Sequence, residues 1–126
     1  MTFTSVTPYL RYPDGDAAYA WLHRVLGFGP ERVHRDGDGA WSEGTVAVGD
    51  GRVDITAGPA VAQEKDNGQG LLLIVGVTDV DAQYRRIRDA GVEIAAPKDE
   101  PYGPRSCHVS DPWGYRWYFW QGEAKY

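Results

Sequence analysis

Apolar and polar residues recur in the first part of the chain in a pattern that predicts a strand followed by a helix. Side chains alternate over residues 5–12, as in a half-buried strand. Asp14 is a favourable N-cap for the helix, because its carboxylate can accept a hydrogen bond from an unpaired N–H of the first turn. Gly27 predicts the helix end. The apolar residues that follow helical spacing are Ala18, Trp21, Leu22, Val25 and Leu26.

Three shorter strands are predicted after this helix, at about 31–35, 41–48 and 52–56. Glycine-rich turns separate them, and Gly49-Asp50-Gly51 predicts a hairpin between the last two strands. The first half of the chain is therefore predicted to be a βαβββ unit.

The second half repeats this pattern, which indicates two copies of one unit. The segment at 79–84 matches the segment at 14–19 in its two aspartates and its closing tyrosine. A second helix is therefore expected to begin after Asp79 and to end at Gly91. The strands of the second unit are expected near 71–77, 92–95, 105–109 and 115–121.

Two βαβββ units predict an α+β fold, in which a curved mixed sheet has helices on its outside and a concave cavity on its inside. We expect a single domain over residues 1–126, with one repeat at about 4–57 and the other at about 71–122. Residues 58–70 are polar and are predicted to form the linker. A functional site is expected in the cleft between the two copies.

Strand alternation then separates side chains that should meet a helix from those that should face the cavity. In the first strand, Leu10 and Tyr12 are expected toward the helix. In the last strand, Trp117 and Phe119 are expected toward the helix. The residues predicted to line the cavity are Tyr9, Arg11, Trp41, Asp54, Tyr102, His108, Arg116, Tyr118 and Trp120.

Each class of candidate residue has a structural alternative to a role in binding. The aromatic residues can form walls for a flat ligand or can pack in a core or dimer interface. Arg11 and Arg116 can hold an anionic group, or they can be surface charges. Asp54 can bind a cationic group or pair with a neighbouring arginine, since a buried lone carboxylate is costly. His108 can act as a base or be a structural histidine, and no catalytic residue is predicted.

Composition and charge argue against several kinds of partner and location. The formal net charge is −5, so the chain lacks the basic excess that nucleic-acid binding requires. Cys107 is the only cysteine, which excludes an intrachain disulfide and fits a reducing compartment. The first residues do not resemble a signal peptide, and no apolar run is long enough to span a membrane. We therefore expect a cytoplasmic protein.

Several motifs resemble those of the vicinal oxygen chelate superfamily, which includes glyoxalase I, bleomycin-resistance proteins and extradiol dioxygenases. The resemblance covers nearly the whole chain. It is carried by the residues at 6–10 that lead to Asp14, by those at 77–82, and by the turn Asp111-Pro112-Trp113-Gly114 before the last strand. This likeness implies the duplicated fold predicted above and a homodimer.

Metal enzymes of that superfamily bind their ion through His, Gln or Glu side chains on four strands. The positions that the resemblance assigns to these ligands are Thr7, Asp54, Leu72 and Tyr118. Only Asp54 is a credible metal ligand, because divalent metals need oxygen or nitrogen donors of suitable strength. We therefore expect neither a metal nor another cofactor.

The resemblance and the missing ligands together favour a metal-independent protein that binds a small molecule, as drug-sequestering proteins of the bleomycin-resistance type do. An aromatic or cationic molecule, such as an antibiotic, would suit the predicted cavity. An enzyme of the same fold, either a glyoxalase-like lyase or isomerase or a relative of the dioxygenases, is the first alternative. A regulatory or interaction domain is the second.

Overall fold

The computed structural model describes residues 1–60 and 70–126, which belong to two compact units. The first unit covers Met1–Ala60 and the second covers Val61–Tyr126. Most of the predicted linker, residues 61–69, lies outside the described residues. In the described residues, each unit contains one helix and one four-stranded sheet in the order βαβββ, which confirms the predicted α+β class and its repeat.

The first unit has a mixed sheet with the strand order β1-β4-β3-β2. Strand β1 runs parallel to β4, and the other neighbours are antiparallel. The strands are β1 (Tyr9–Tyr12), β2 (Glu31–Arg35), β3 (Trp41–Val48) and β4 (Gly51–Ala57). The prediction of a strand from residue 5 was wrong at its start. Pro8 has no N–H to donate to a ladder, and the residues at 1–6 are exposed.

Helix α1 (Gly15–Trp21) begins as predicted and continues into a π-helical turn at Leu22–Leu26. The Asp14 carboxylate accepts a hydrogen bond from the Ala17 N–H at 3.1 Å. Gly27 ends the segment in the left-handed conformation, with a φ of 83°. The apolar stripe is buried except at its Trp21 position, which is half-buried.

The second unit has the strand order β5-β8-β7-β6, with β5 parallel to β8. Helix α2 (Val80–Asp89) is capped by Asp79, whose carboxylate accepts from the Ala82 N–H at 3.0 Å. Gly91 follows the helix with a φ of 88°. The strands are β5 (Leu72–Gly76), β6 (Lys98–Asp99), β7 (Arg105–Ser110) and β8 (Arg116–Gln121).

The strand predicted near 92–95 is absent from the described part of the chain. The Val92 N–H donates to the Ile87 carbonyl at the end of α2, so the backbone here closes the helix instead of extending a sheet. The strand in this place is the two-residue β6, which pairs with β7 through Lys98 and Asp99.

Alternate side chains of the strands fill the core of each unit, as the sequence pattern predicts. In unit 1, Leu10 and Ile55 are buried. In unit 2, Trp117 and Phe119 are buried, and Tyr118 between them is only half-buried. The helix of each unit packs on two strands of its own sheet. Within the described residues, no helix is long and apolar enough to cross a membrane.

A matching ion pair attaches each helix to its own sheet. Asp16, in the first turn of α1, accepts two hydrogen bonds from Arg35 of β2, both at 2.8 Å. Asp81, in the first turn of α2, accepts two from Arg105 of β7, at 2.9 and 3.0 Å. These hydrogen bonds hold the pKa of each aspartate below its ordinary value.

The lone thiol gives a simple test of the core of unit 2. Cys107 is buried on the core side of β7, and loss of hydration raises the pKa of its thiol to about 11. We therefore expect iodoacetamide at pH 8 to leave the folded protein unmodified and to alkylate Cys107 rapidly in denaturant. Mass spectrometry of both reactions measures this. Equal rates in the two conditions would contradict the burial of Cys107.

Candidate functional site

The sheet of unit 2 has a face opposite its helix side, and this face carries four of the predicted ligand-facing residues. Its residues come from cross-strand pairs of β5, β8 and β7, because alternate positions of a strand share one face. Ile74, Tyr118 and His108 form one row across the three strands. We call this surface the unit 2 open face, and its residues are Leu72, Ile74, His108, Arg116, Tyr118 and Trp120.

Aromatic rings on the unit 2 open face lie against one another. The rings of His108 and Tyr118 stack, with centroids 4.6 Å apart and an interplanar angle of 12°. The Trp120 ring contacts Tyr102, which lies in the turn before β7, with a centroid distance of 5.8 Å. Partial loss of hydration and the nearby Glu100 carboxylate raise the pKa of Tyr102. Four of the predicted site residues are therefore brought together here.

Two large apolar side chains on the same face remain accessible to water. Leu72 is 46% exposed and Ile74 is 53% exposed, and both lie on β5. Their cross-strand partners on β8 are Arg116 and Tyr118. Apolar side chains next to accessible aromatic rings are typical of surfaces that bind flat molecules. The sequence analysis did not include Ile74 among the site residues, although its alternation with the buried Leu73 would have identified it.

Two nitrogen donors on the unit 2 open face are buried without a hydrogen-bond partner among residues 1–60 and 70–126. They are Nε of Arg116 and Nε1 of Trp120. Both residues point to the same side of β8, on either side of Tyr118. Buried donors usually have an acceptor, so each of these two nitrogens lacks a contact that native structures normally supply.

The corresponding face of the unit 1 sheet is polar, and many of its groups are already paired. The Tyr9 hydroxyl donates to both carboxylate oxygens of Glu43, at 2.7 and 2.8 Å. The Thr56 hydroxyl donates to Glu43 at 3.1 Å. Glu43 was missed by sequence reasoning, because only the pairing of β3 with β4 brings it next to Thr56. Arg11 lies in the same row and, with Tyr9, borders a cavity of about 290 Å³.

Asp54 lies on this unit 1 face next to Arg52, which agrees with the structural alternative. Its Oδ1 is 3.3 Å from Nε of Arg52. The same oxygen is buried and accepts no well-aligned hydrogen bond within the described residues. The contact is therefore an ion pair whose geometry is poor for a hydrogen bond. Arg52 itself is exposed, which limits how much the pair stabilises the unit.

The prediction that Trp41 lines a cavity was wrong. Trp41 is buried on the helix side of the unit 1 sheet, and its Nε1 donates to the Ile55 carbonyl at 3.1 Å. A β-bulge causes the difference: His34 pairs with Glu43, while the next residue, Arg35, pairs with Trp41. Strand β3 thus has one extra residue at this point, which moves Trp41 to the face opposite Glu43.

A sequence comparison identifies the family to which this duplicated fold belongs. Residues 3–119 match a sequence model of the Glyoxalase/Bleomycin resistance protein/Dioxygenase superfamily. The chain belongs to this superfamily. An uncharacterized protein of Mycobacterium bovis is 29% identical over 106 residues, which are 83% of this chain and 59% of that protein. The chain thus spans little more than half the length of the curated relatives it matches.

Solved structures of superfamily members have the same fold over almost the whole chain. TioX from Micromonospora sp. ML1 is 28% identical, covers 98% of this chain and 99% of its own, and gives a TM-score of 0.73. A bleomycin-binding protein complexed with bleomycin is 25% identical, covers 96% of this chain and all of its own, and gives a TM-score of 0.71. These similarities agree with the vicinal oxygen chelate resemblance seen in the sequence.

The residues at the superfamily's metal positions do not form a ligand set in this chain. Leu72 has no donor atom, and Tyr118 stacks on His108. Thr7 precedes β1, and Asp54 is paired with Arg52. Residues 1–60 and 70–126 contain no group of three or more His, Cys, Asp or Glu side chains that could hold a metal ion. The donor chemistry therefore does not fit the metal, and metal independence stays a prediction.

Proposed function

We propose that this protein binds a small, flat and partly apolar molecule on the unit 2 open face and acts by sequestering it without a metal. The observation that carries the proposal is the exposed pair Leu72 and Ile74 beside the stacked rings of His108 and Tyr118. A superfamily member 25% identical to this chain binds bleomycin, which supports sequestration of an antibiotic-like molecule. The homodimer and the cytoplasmic location implied by the sequence belong to the same proposal.

The apolar and aromatic contacts on the unit 2 open face would each contribute part of the binding free energy. Full burial of a Leu or Ile side chain contributes about 1.5–3 kcal/mol, and both residues are about half accessible before binding. A well-placed aromatic contact adds about 0.5–1.5 kcal/mol beyond the area it buries. Loss of translational and rotational freedom opposes these terms. Binding of a flat ligand is therefore expected to rest on contributions from several residues.

A pair of tyrosine variants tests where the ligand binds. We expect Tyr118→Ser to weaken binding about tenfold, because it removes a ring that the ligand would contact. Tyr84→Ser is the matched control, since Tyr84 is also half-buried in unit 2 but lies on α2 under Arg88. Calorimetric titration with anthracenemethanol and with bleomycin measures both variants, and thermal melting checks that they fold.

Three outcomes would contradict this proposal. If neither anthracenemethanol nor bleomycin binds the wild-type protein, the result argues against sequestration of flat molecules. Equal losses in Tyr118→Ser and Tyr84→Ser would exclude the unit 2 open face as the binding surface. Turnover of hemithioacetals or catechols, with a metal found in stoichiometric amount, would establish the enzymatic alternative instead.

A further inference from the structure

We infer that the ligand of the unit 2 open face carries a carboxylate, which Arg116 binds while the flat part of the molecule lies along Tyr118. Trp120 supplies a second donor at the far side of the same ring. This inference rests on the proposed function and specifies the chemical class of its ligand.

The first argument concerns Arg116, whose Nε donor has no acceptor among the described residues. Its Nε is buried and unpartnered, and its cross-strand neighbours on this face are Leu72 and Ser110. A buried donor of a charged group is unfavourable unless it is paired. A carboxylate is the matching acceptor, since guanidinium groups bind carboxylates through parallel charge-assisted hydrogen bonds.

The position of Trp120 provides the second argument. An indole nitrogen can only donate, and Nε1 of Trp120 is also buried without a partner in the described part of the chain. Contact with Tyr102 helps to hold this ring in place. Residues two apart on a strand are about 7 Å apart, so Arg116 and Trp120 lie on opposite sides of Tyr118 at that spacing. A ring system over Tyr118 can therefore present acceptors to either donor.

The hydrogen bonding of the Glu100 carboxylate argues against the cationic ligand that the sequence also suggested. On unit 2, Glu100 accepts from the Ser106 hydroxyl at 2.8 Å. Glu100 thus has a donor, whereas Nε of Arg116 and Nε1 of Trp120 have no acceptor among residues 1–60 and 70–126. The chain's negative net charge does not change this local balance, because short-range contacts determine the polarity of a site.

A series of three ligands with one ring system separates this inference from the proposed function. Calorimetric titration compares anthracenecarboxylate, anthracenemethanol and anthracenemethylammonium, with the substituent at the same ring position. We expect the carboxylate to bind about tenfold more tightly than the alcohol, because it gains a charge-assisted hydrogen bond. The ammonium compound is expected to bind most weakly, since it places a positive charge next to Arg116.

Variants then assign the preference to particular atoms. In Arg116→Gln, we expect the carboxylate and the alcohol to bind with about equal dissociation constants. Arg116→Lys keeps the charge but loses Nε, so its preference for the carboxylate over the alcohol should be smaller than that of the wild type. Trp120→Phe keeps a ring and removes the indole donor, and it should weaken carboxylate binding about threefold. Arg88→Met is the matched control on α2, and it should leave the ratio unchanged.

Each result of the series supports or overturns the inference. If the alcohol or the ammonium compound binds at least as tightly as the carboxylate, the inference is wrong and the proposed function stands. If none of the three compounds binds, both the inference and the proposed function are wrong. A preference that survives Arg116→Gln with the fold intact would also overturn the assignment to Arg116. If Arg116→Gln fails to fold, Arg116→Lys and Trp120→Phe serve instead. An unchanged ratio of carboxylate to alcohol dissociation constants in both variants would then overturn the inference.

Discussion

Replacement of Asp111 by alanine is expected to lower the free energy of unfolding by about 3–5 kcal/mol, because three donors, two of them buried, lose a charged acceptor. Asp111 is only 4% exposed. Its Oδ1 accepts from the backbone N–H groups of Trp113 and Tyr115, both at 3.0 Å. Its Oδ2 accepts from Nε1 of Trp117 at 3.2 Å. Alanine removes all of these acceptors from the turn that leads into β8.

Asp36 offers a matched control for this effect. Its Oδ1 also accepts from two backbone N–H groups, those of Asp38 and Ala40, but it lies in an exposed turn. We expect Asp36→Ala to cost less than about 1 kcal/mol, because water can replace the lost acceptor. Urea denaturation of both variants measures the difference. Similar losses in the two variants would show that burial of the Asp111 carboxylate does not matter for stability.

Replacement of Gly15 by alanine is expected to destabilise the protein by about 3 kcal/mol through overpacking. A Cβ on Gly15 would lie 2.5 Å from Cδ1 and Cδ2 of Trp41 and closer still to Cγ. Trp41 has little room to move, since it is 4% exposed and its Nε1 is hydrogen-bonded to Ile55. Intrinsic helix propensity alone predicts the opposite sign, because alanine is favoured over glycine by about 1 kcal/mol.

Two further variants distinguish the steric effect from other causes. Gly37→Ala adds a Cβ where no atom lies within 4 Å, so its effect should stay within about 0.5 kcal/mol. The Gly15→Ala substitution should also be less costly in a Trp41→Leu background, because the smaller side chain removes the clash. Thermal and urea unfolding of the wild type, Gly15→Ala, Trp41→Leu and the double variant give the coupling energy between the two positions. A stabilising or neutral Gly15→Ala would show that α1 shifts away from Trp41 without cost.

Local chemistry explains why much of the fold could be predicted from the sequence. Asp14 and Asp79 cap their helices through hydrogen bonds to residues only three positions away. The alternation of Leu10 with its neighbours, and of Trp117 with its neighbours, reflects the geometry of a single strand. Such features depend on short stretches of chain, so residue type and spacing are sufficient to identify them.

The failures share a different cause, because they depend on pairing between distant segments. Trp41 lies on the face opposite to the predicted one, because β3 has one extra residue where it pairs with β2. Glu43 is hydrogen-bonded to Tyr9 because β1 pairs with β4 and β4 pairs with β3. The lack of an acceptor for Nε of Arg116 among residues 1–60 and 70–126 also depends on which residues surround it in three dimensions. The alternation pattern contains no information about bulges or neighbours, so these features required the structure.

The alternation of faces along each strand has a consequence for how such duplicated proteins diversify. On β8, Trp117 and Phe119 belong to the core, while Arg116 and Tyr118 belong to the opposite face. The residues that form the core and the residues that are accessible to other molecules therefore alternate along one strand. The two repeats illustrate the result: both have a capping aspartate, yet the unit 1 face carries an ion pair and hydrogen-bonded polar groups, while the unit 2 open face is largely aromatic and apolar. New specificities can thus evolve on this scaffold by substitution alone.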